Sequence, residues 1–493
     1  MTLPSTISPR SGTPLPGGSL AGSSIEMRLS HLVGLPVGEG ERRAATDAIC
    51  DTLAVALAGA ADPRSDQLMR TLSTAREPAP GLSFALGTDH WLSTSDAALY
   101  FGFSAHLLDY DDDETELAMA HLSAPSLAAA LAVVNRFGQT ADESQLVDAY
   151  VTGCKAMLLL GAVWNPAVHA AGWHPTSVLG VFGATLAAAR CMGLDQAQSL
   201  SAVRLAASLA SGGRGAFGGM GKPLQVGQSA ASGVRCAELA RAGWQGSSDA
   251  LDGLATALFS QGAMTADADV SEFPPAGFVT KLYPSCTATH AAIYATLTLC
   301  AEVSEHDLPQ RITCALDPRA LAILQSTPPK SGDEGRFSLA YCLVTAAVTG
   351  RVGLDAFEAK AFQDGAPADP RIREMMHRID IAEAHDLPFG PSGIATGAHV
   401  TVFVGDDEPH SMTAEAAPGS LSLPATEGDL SDKWCDCLTK YTVGRYGALA
   451  NTDVASDLLP MLRNATTPGG LQTLQRRLTE MTSIQGKQEC KTP

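Results

Sequence analysis

The chain has 493 residues, of which 45% are hydrophobic and 5% aromatic, and this length and balance exclude a disordered or fibrous protein. The formal net charge of -19 argues against nucleic-acid binding, which needs a basic surface to replace the counterions of the phosphate backbone. Eleven cysteines without a compact spacing are typical of a reducing compartment, and no apolar run is long enough to predict a membrane span. We therefore expect a cytoplasmic protein without a nucleic-acid or membrane partner.

The first 276 residues divide into a polar tail and a helical part. Residues 1–24 are rich in Pro, Ser and Gly, which predicts a disordered tail. This tail lacks acidic residues, so a mitochondrial location stays open. Residues 25–276 contain successive Ala- and Leu-rich segments with apolar residues at helical spacing, separated by Gly or Pro. They predict the first part of a large all-helical domain.

The pattern changes after Phe273. Residues 277–426 contain alternating, β-branched segments such as RITCALDP and AHVTVFVG beside the helical segment HAAIYATLTLCAEV, and they predict a smaller inserted α+β domain. Residues 427–493 again show helical patterns and predict a return to the first domain. The predicted fold class is mainly α.

The densest polar cluster includes His106, Asp109, Asp111, Asp112 and His121. Neighbouring carboxylates raise one another's pKa and can orient an imidazole, so the cluster suits proton transfer. A solvated acidic loop at a helix N-terminus is the alternative interpretation. A calcium loop of the EF-hand type fails because its sixth position is not Gly, but a His/Asp metal site for a hydrolase stays open.

Two further segments offer polar groups before predicted helices. His174 stands in GWHPTS, where the backbone N–H groups of a helix N-terminus can receive an anion, although a lone loop histidine is more often structural. The glycine-rich segment SGGRGAFGGMGKPLQ presents Arg214 and Lys222. It follows a helical pattern and not a strand, and Pro223 replaces the Ser or Thr of a phosphate-binding loop, so nucleotide binding is not predicted. Carboxylate binding by the two cations fits better.

The fourth segment, KLYPSCTATH, begins with Lys281 at the predicted domain junction, a common place for a ligand cleft. Its Cys286 and His290 could form a thiol nucleophile with its base, or half of a zinc site. No second Cys/His pair with zinc spacing lies nearby in the sequence.

Taken in this order, the four segments resemble those of the MmgE/PrpD family, which includes 2-methylcitrate dehydratases, cis-aconitate decarboxylases and an iminodisuccinate epimerase. The resemblance runs from about residue 25 to 465. It includes Arg336-Phe-Ser-Leu-Ala-Tyr341, similar to an F-S-x-x-Y helix, and Asp432-Lys-Trp434, similar to the returning helix. The resemblance implies that the inserted domain is a lid, that the protein is a homodimer, and that no metal or organic cofactor is needed.

The resemblance also implies the site. The D-x-D-D acid is similar to Asp109, with Asp111 and Asp112 beside it, and the predicted catalytic residues are Asp109, His121, His174, Lys222 and Lys281. The predicted substrate-binding residues are Asp112, Asp113, Arg214, Gln225 and His290. Asp113 departs from the Thr that the decarboxylases share, and its extra negative charge disfavours the same tricarboxylate substrate.

We predict a lyase for a small polycarboxylate, with dehydration of 2-methylcitrate or a related alkylcitrate as the first choice. Decarboxylation of a cis-aconitate-like substrate is the alternative, followed by epimerisation or a His/Asp metal hydrolase. Each lyase reaction starts from a carbanion beside a carboxylate, which the cations would stabilise. We expect His174→Ala and Lys281→Ala to abolish turnover with little change in thermal stability.

Overall fold

The computed structural model describes residues 24–136, 143–259, 272–302, 308–405, 408–447 and 452–489. The predicted disordered tail at residues 1–24 therefore lies almost wholly outside the described residues. Helix predominates, which confirms the mainly α fold class.

The first part is built mainly from helices. Up to residue 259 they are α1 (Ile25–His31), α2 (Glu39–Ala60), α3 (Pro63–Met69), α4 (Thr94–His106), α5 (Ser123–Val134), α6 (Glu143–Trp164), α7 (Ala167–Ala170), α8 (Pro175–Cys191), α9 (Gln196–Ala207), α10 (Gly221–Arg241) and α11 (Ala250–Leu258). The prediction of an all-helical first part needs correction, because β1 (Leu82–Phe84) pairs with β2 (Trp91–Ser93). A further short strand, β3 (Asp113–Glu114), lies within the acidic loop, which is the segment 107–122 between α4 and α5.

Small residues let three helices of the first part pack closely. A Cβ on Gly227 of α10 would lie 2.5 Å from the carbonyl oxygen of Leu99 in α4, and one on Gly102 of α4 would lie 3.1 Å from the Cα of Gly227. Gly233 approaches Ala184 of α8 in the same way. Interiors this dense admit almost no extra volume. Helix α10 is thereby fixed against α4 near its start and against α8 further along.

The second part has its own hydrophobic core around a four-stranded sheet. Its elements begin with β4 (Phe278–Val279), α12 (His290–Glu302), β5 (Arg311–Leu316), α13 (Pro318–Leu321), α14 (Gly332–Gly335) and α15 (Leu339–Thr349). They continue with β6 (Phe362–Gln363), β7 (Ala366–Pro367), α16 (Pro370–Met376), β8 (Ile379–Glu383), β9 (Ala398–Phe403) and β10 (His410–Ala414). The sheet order is β10-β9-β5-β8, with β5 and β8 parallel and the other pairs antiparallel.

The alternating segments of the sequence correctly predict β5 and β9, whose inward residues are apolar at every second position. After them, α17 (Glu427–Tyr446), α18 (Thr452–Arg463) and α19 (Gly470–Glu489) return to the first part. Trp434, Cys437 and Leu438 of α17 belong to the first core. The boundaries at residues 277 and 426 and the function of the second part as a lid remain predictions.

Several contacts join the two parts near the acidic loop. Strand β3 pairs antiparallel with β4, so that Asp113 lies opposite Val279. Arg64 donates to Asp333 at 2.7 Å. Arg336 donates from one guanidinium nitrogen to the carbonyl oxygens of Leu108 and of Pro284, the latter at 2.6 Å. The acidic loop is therefore held from both parts.

One described helix, α6, is long and apolar enough over Gln145–Trp164 to cross a membrane. A second candidate arises only if α2 and α3, which meet at a bend of 82°, are counted as one span. In the structure, 83% of the apolar window of α6 is buried, and the helix packs against α8 and α5. Core helices commonly have this composition.

Candidate active site

The acidic loop places three carboxylates inside the protein at the end of α4. Asp109, Asp111 and Asp112 are 4%, 0% and 2% exposed. Asp109 has a φ of 52°, in the left-handed region that Asp tolerates better than most side chains. Buried carboxylates need partners of opposite charge or hydrogen-bond donors.

Asp109 lies between two buried lysines. Lys222, at the start of α10, donates to its Oδ1. The Nζ of Lys281 lies 3.3 Å from its Oδ2 and donates to its main-chain oxygen at 3.1 Å. Burial would raise the pKa of Asp109, but the charges of Lys222 and Lys281 hold it well below the usual value. Asp109 is therefore ionised, and the three side chains together carry one excess positive charge.

Asp111 faces two histidines. Its Oδ2 accepts from Nδ1 of His106 at 2.8 Å and lies 3.2 Å from Nδ1 of His121. Burial alone would raise the pKa of Asp111, but the two histidines keep it well below the usual value. Burial lowers the pKa of His106 to about 4. With its Nδ1 turned to Asp111, His121 presents Nε2, which lies 3.9 Å from Oδ1 of Asp109.

His174 occupies the N-cap position of α8, directly before Pro175. Its Nδ1 lies 2.9 Å from Oε1 of Gln225, whose Nε2 donates to the carbonyl oxygen of Gly213 at 3.2 Å. This amide orientation requires the proton on Nδ1 of His174, so Nε2 carries the lone pair. Burial, followed by the neighbouring His106 and Lys222, lowers the pKa of His174 well below the usual value. His174 is therefore a neutral proton acceptor.

The next two acids of the loop have different surroundings. Asp113 accepts from Thr287 at 2.7 Å, and although burial would raise its pKa, His121 and Lys281 lower it. Glu114 accepts from the backbone N–H of Leu117 at 2.9 Å and of Ala118 at 2.5 Å, yet burial raises its pKa to about 7. Asp113 is thus a charged group of the site, whereas Glu114 stabilises the loop.

All five predicted catalytic residues line one cavity between the two parts of the protein. They are Asp109, His121, His174, Lys222 and Lys281. The opposite wall is largely apolar and comes from Ala320, Ile323, Phe337 and Ile394. A concave pocket with a few converging polar groups is the common form of a small-molecule site. The catalytic role of each residue remains a prediction.

Of the predicted substrate-binding residues, Asp113 lines this cavity. Gln225 does not line it and instead orients His174. Arg214 contacts Nε2 of His169 at 3.1 Å, and it is His169 that reaches the cavity. In the structure Gln225 and Arg214 each contact a histidine of the cavity, and direct substrate contact by either remains a prediction.

Asp112 and His290 also lie outside the cavity lining. Asp112 is buried and its pKa is raised by burial to about 7. His290 lies 3.1 Å from the carbonyl oxygen of Ser285, and burial lowers its pKa to about 3. The structure thus places Asp112 and His290 behind the residues that line the cavity, and substrate binding by either remains a prediction.

Sequence reasoning missed three residues of the site. Thr287 holds Asp113, His169 lines the cavity from α7, and Arg336 holds the loop before Asp109. No local pattern marks His169 or Thr287 in the sequence. Arg336 stands beside the F-S-x-x-Y segment and could have been chosen as a buried cation.

A metal ion could be held by part of this cluster. Ligand atoms of His106, Asp111 and His121 all lie within 4.8 Å of one another, and all three residues are buried. Two imidazoles and a carboxylate form a common ligand set for transition metals. In this structure Asp111 lies 2.8 Å from Nδ1 of His106 and 3.2 Å from Nδ1 of His121, so the same geometry also fits a role of Asp111 in orienting His121.

Two family models match most of the chain. The family model described as the MmgE/PrpD N-terminal domain matches residues 38–266, and the MmgE/PrpD C-terminal domain matches residues 283–447. A cis-aconitate decarboxylase-like protein of Aspergillus oryzae is 26% identical over 417 residues, which cover 78% of this chain and 84% of that protein.

Two mammalian proteins are also similar. The cis-aconitate decarboxylase of Mus musculus is 24% identical over 277 residues, which cover 53% of this chain and 54% of that protein. The cis-aconitate decarboxylase of Homo sapiens is 24% identical over 276 residues, which cover 53% and 55%. The match spans about half the length of each mammalian relative.

Proposed function

Because the chain belongs to the MmgE/PrpD family, we propose that it is a lyase that dehydrates a small polycarboxylate, 2-methylcitrate or a related alkylcitrate. The observation that carries this proposal is Asp109 held between Lys222 and Lys281 in a cavity that His121 and His174 also line. The family and the relatives together indicate a lyase-type enzyme.

The two lysines account for substrate binding. Ionised Asp109 and Asp113 balance their charge, so a substrate carboxylate would be held by close contact with an ammonium group and not by a net positive charge. Low-dielectric walls strengthen this attraction relative to water. The same ammonium groups would stabilise the negative charge that develops on that carboxylate when the neighbouring carbon loses its proton.

The two histidines of the cavity account for proton transfer. His174 is neutral, and its buried Nε2 has no protein partner among the described residues. It would take the proton from the carbon beside a carboxylate. His121, oriented by Asp111, would then protonate the hydroxyl group on the adjacent carbon. The C–O bond breaks, water leaves, and the electron pair of the broken C–H bond forms the double bond.

Decarboxylation is the second candidate, and the names of the three relatives favour it. The same lysines would stabilise the charge left by departing carbon dioxide, and His121 would protonate the carbon. Asp113, an additional ionised carboxylate at the cavity, does not separate the two reactions, because 2-alkylcitrates and cis-aconitate both carry three carboxylates.

The deciding experiment incubates the protein with 2-methylcitrate, a longer alkylcitrate and cis-aconitate. Alkene absorbance and released carbon dioxide are followed together. We expect absorbance to rise without carbon dioxide on an alkylcitrate. Carbon dioxide from cis-aconitate would establish the decarboxylase instead, and no reaction with any of the three would contradict both.

A further inference from the structure

A surface groove continues the active-site cavity outward. Thr115, Ile394 and Thr396 line both the cavity and the groove. The three residues come from the acidic loop and from the segment before β9, so the passage runs along the junction of the two parts. A molecule bound at the lysines could therefore extend past Ile394 to the surface.

The groove has a mixed lining, in which apolar side chains lie among Thr, Ser and Glu residues. Phe389 is 67% exposed, and Tyr294, Met412 and Leu423 share the same groove at lower exposure. Exposed aromatic side chains that line a groove commonly mark a binding site. Where these apolar side chains cover methylene groups, the gain in free energy is about 0.8 kcal/mol for each one buried.

The charges give the path a direction. Lys222 and Lys281 lie at the inner end, whereas Glu116 and Glu415 line the groove at the outer end. The inner end offers a carboxylate two ammonium groups beside Asp109 and Asp113, whereas the lining of the groove, among the described residues, has acidic but no Lys or Arg side chains, so a carboxylate head binds better at the inner end. The occupant that fits has a carboxylate head and an uncharged tail.

We propose that this groove binds the alkyl chain of the substrate, so that the enzyme prefers a 2-alkylcitrate with a chain longer than methyl. This inference rests on the proposed function, since it assigns the carboxylate head to the lysines. The tail passes Thr115 and Ile394 and lies against Phe389 and Met412.

The test measures kcat/KM for 2-methylcitrate, 2-butylcitrate and 2-octylcitrate. We expect an increase of about twofold to fourfold for each methylene that reaches the groove. If kcat/KM stays constant or falls with chain length, the proposed binding of the chain in the groove is wrong, whereas the proposed dehydration still stands. If no member reacts and cis-aconitate does, the proposed dehydration itself fails.

Two variants at aromatic residues of similar exposure show whether the preference for a long chain arises at the groove. Phe389→Asp should lower kcat/KM for the octyl substrate at least about tenfold more than for the methyl substrate, because it places a charge beside the chain. Trp244→Asp changes an aromatic residue of similar exposure, 60%, beyond the end of α10, and should leave this ratio unchanged. Equal effects of both variants on the ratio would overturn the assignment.

The effect of charge at the outer end of the groove can be measured separately. A substrate whose octyl chain ends in a carboxylate should react about tenfold less efficiently than the octyl substrate, and Glu415→Gln should recover part of this loss. Melting temperatures of all variants show whether each is folded. Preference for the charged chain would contradict the proposed direction of binding.

Discussion

Nζ of Lys281 lies 3.3 Å from Oδ2 of Asp109, although 172 residues separate them in the chain. The pair joins the acidic loop of the first part to the segment that leads into the second. Lys281 is 1% exposed, and burial alone would lower its pKa, but the charges of Asp109, Asp113 and Asp111 together raise it. Folding of the two parts and assembly of the cation site are therefore coupled.

Lys281→Ala should abolish most activity and also destabilise the protein. We expect kcat/KM to fall about a hundredfold to a thousandfold, as on loss of a group that stabilises developing negative charge. Stability should fall by about 2 kcal/mol, because Asp109 keeps only one cation in a buried site. This replaces the expectation from sequence that stability would be nearly unchanged.

Lys155→Ala is the matched control for Lys281→Ala. Lys155 forms a half-buried ion pair with Glu41 at 2.5 Å and does not line the cavity. It should retain full kcat/KM. Full activity in Lys281→Ala, measured beside this control, would exclude Lys281 from the site.

His174→Ala should lower kcat by about a hundredfold to ten-thousandfold, as expected for loss of a general base. Gln225→Leu should cause a smaller loss, because the base remains but its Nδ1 proton is no longer fixed. If Gln225 had a purely structural role, Gln225→Leu would change the melting temperature and would not change kcat relative to KM.

The depressed pKa of His174 predicts the shape of the pH profile. A base acts in its neutral form, so its contribution is present above its folded pKa and lost below it. That pKa lies well below the ordinary value of about 6.5, so activity should persist as the pH falls from about 8 to about 6. An acid limb centred near about 6.5 that disappears in His174→Ala would contradict this assignment.

Asp112→Asn should stabilise the protein most at alkaline pH. Burial raises the pKa of Asp112 to about 7, so the folded state favours the protonated acid. The associated stability is present below the unfolded pKa and is lost as the pH rises through the folded pKa. The advantage of the amide should thus grow by on the order of 2 kcal/mol between about pH 4 and about pH 8.

The measurement is the melting temperature of both proteins across this range. Asp386→Asn is a suitable control, because Asp386 is exposed and its pKa is lowered by its contact with His399. A pH-independent difference between Asp112→Asn and the parent would show that Asp112 does not titrate in this window.

Removal of metal should separate the two interpretations of His106, Asp111 and His121. If Asp111 serves only to orient His121, chelation leaves both activity and melting temperature unchanged. If the trio holds a metal, chelation lowers both, and a transition-metal ion restores them. Asp111→Asn should reduce activity in either case, so the chelation result decides.

The sequence predicted much of the fold and site because those features have local patterns. The alternation in β5, the helical spacing of α12 and the clustering of Asp109, Asp111 and Asp112 are all visible within a few residues. The sequence could not separate Asp111, whose pKa two histidines hold low, from its neighbour Asp112, whose pKa burial raises to about 7. Adjacent residues in a loop diverge only through φ and ψ, and these depend on tertiary contacts.

The role of Lys433 is likewise not visible in the local sequence, because its partners lie far away in the chain. It donates to Asp51 at 2.7 Å, 382 residues away, and to the carbonyl oxygen of Tyr110 at 3.0 Å. Tyr110 stands between Asp109 and Asp111, so this buried ion pair also holds the acidic loop. Lys433→Met leaves Asp51 buried without its cation, and we expect a loss of about 3 kcal/mol.

The double variant Lys433→Met with Asp51→Leu separates stability from positioning. Removing both charges should recover most of the stability, because no unpaired charge stays buried. The hydrogen bond to Tyr110 is still missing, so kcat/KM should remain about tenfold below the parent while the melting temperature recovers. If both kcat/KM and the melting temperature recovered, Lys433 would be a purely structural residue. The acidic loop would then keep Asp109 in place without the hydrogen bond from Lys433.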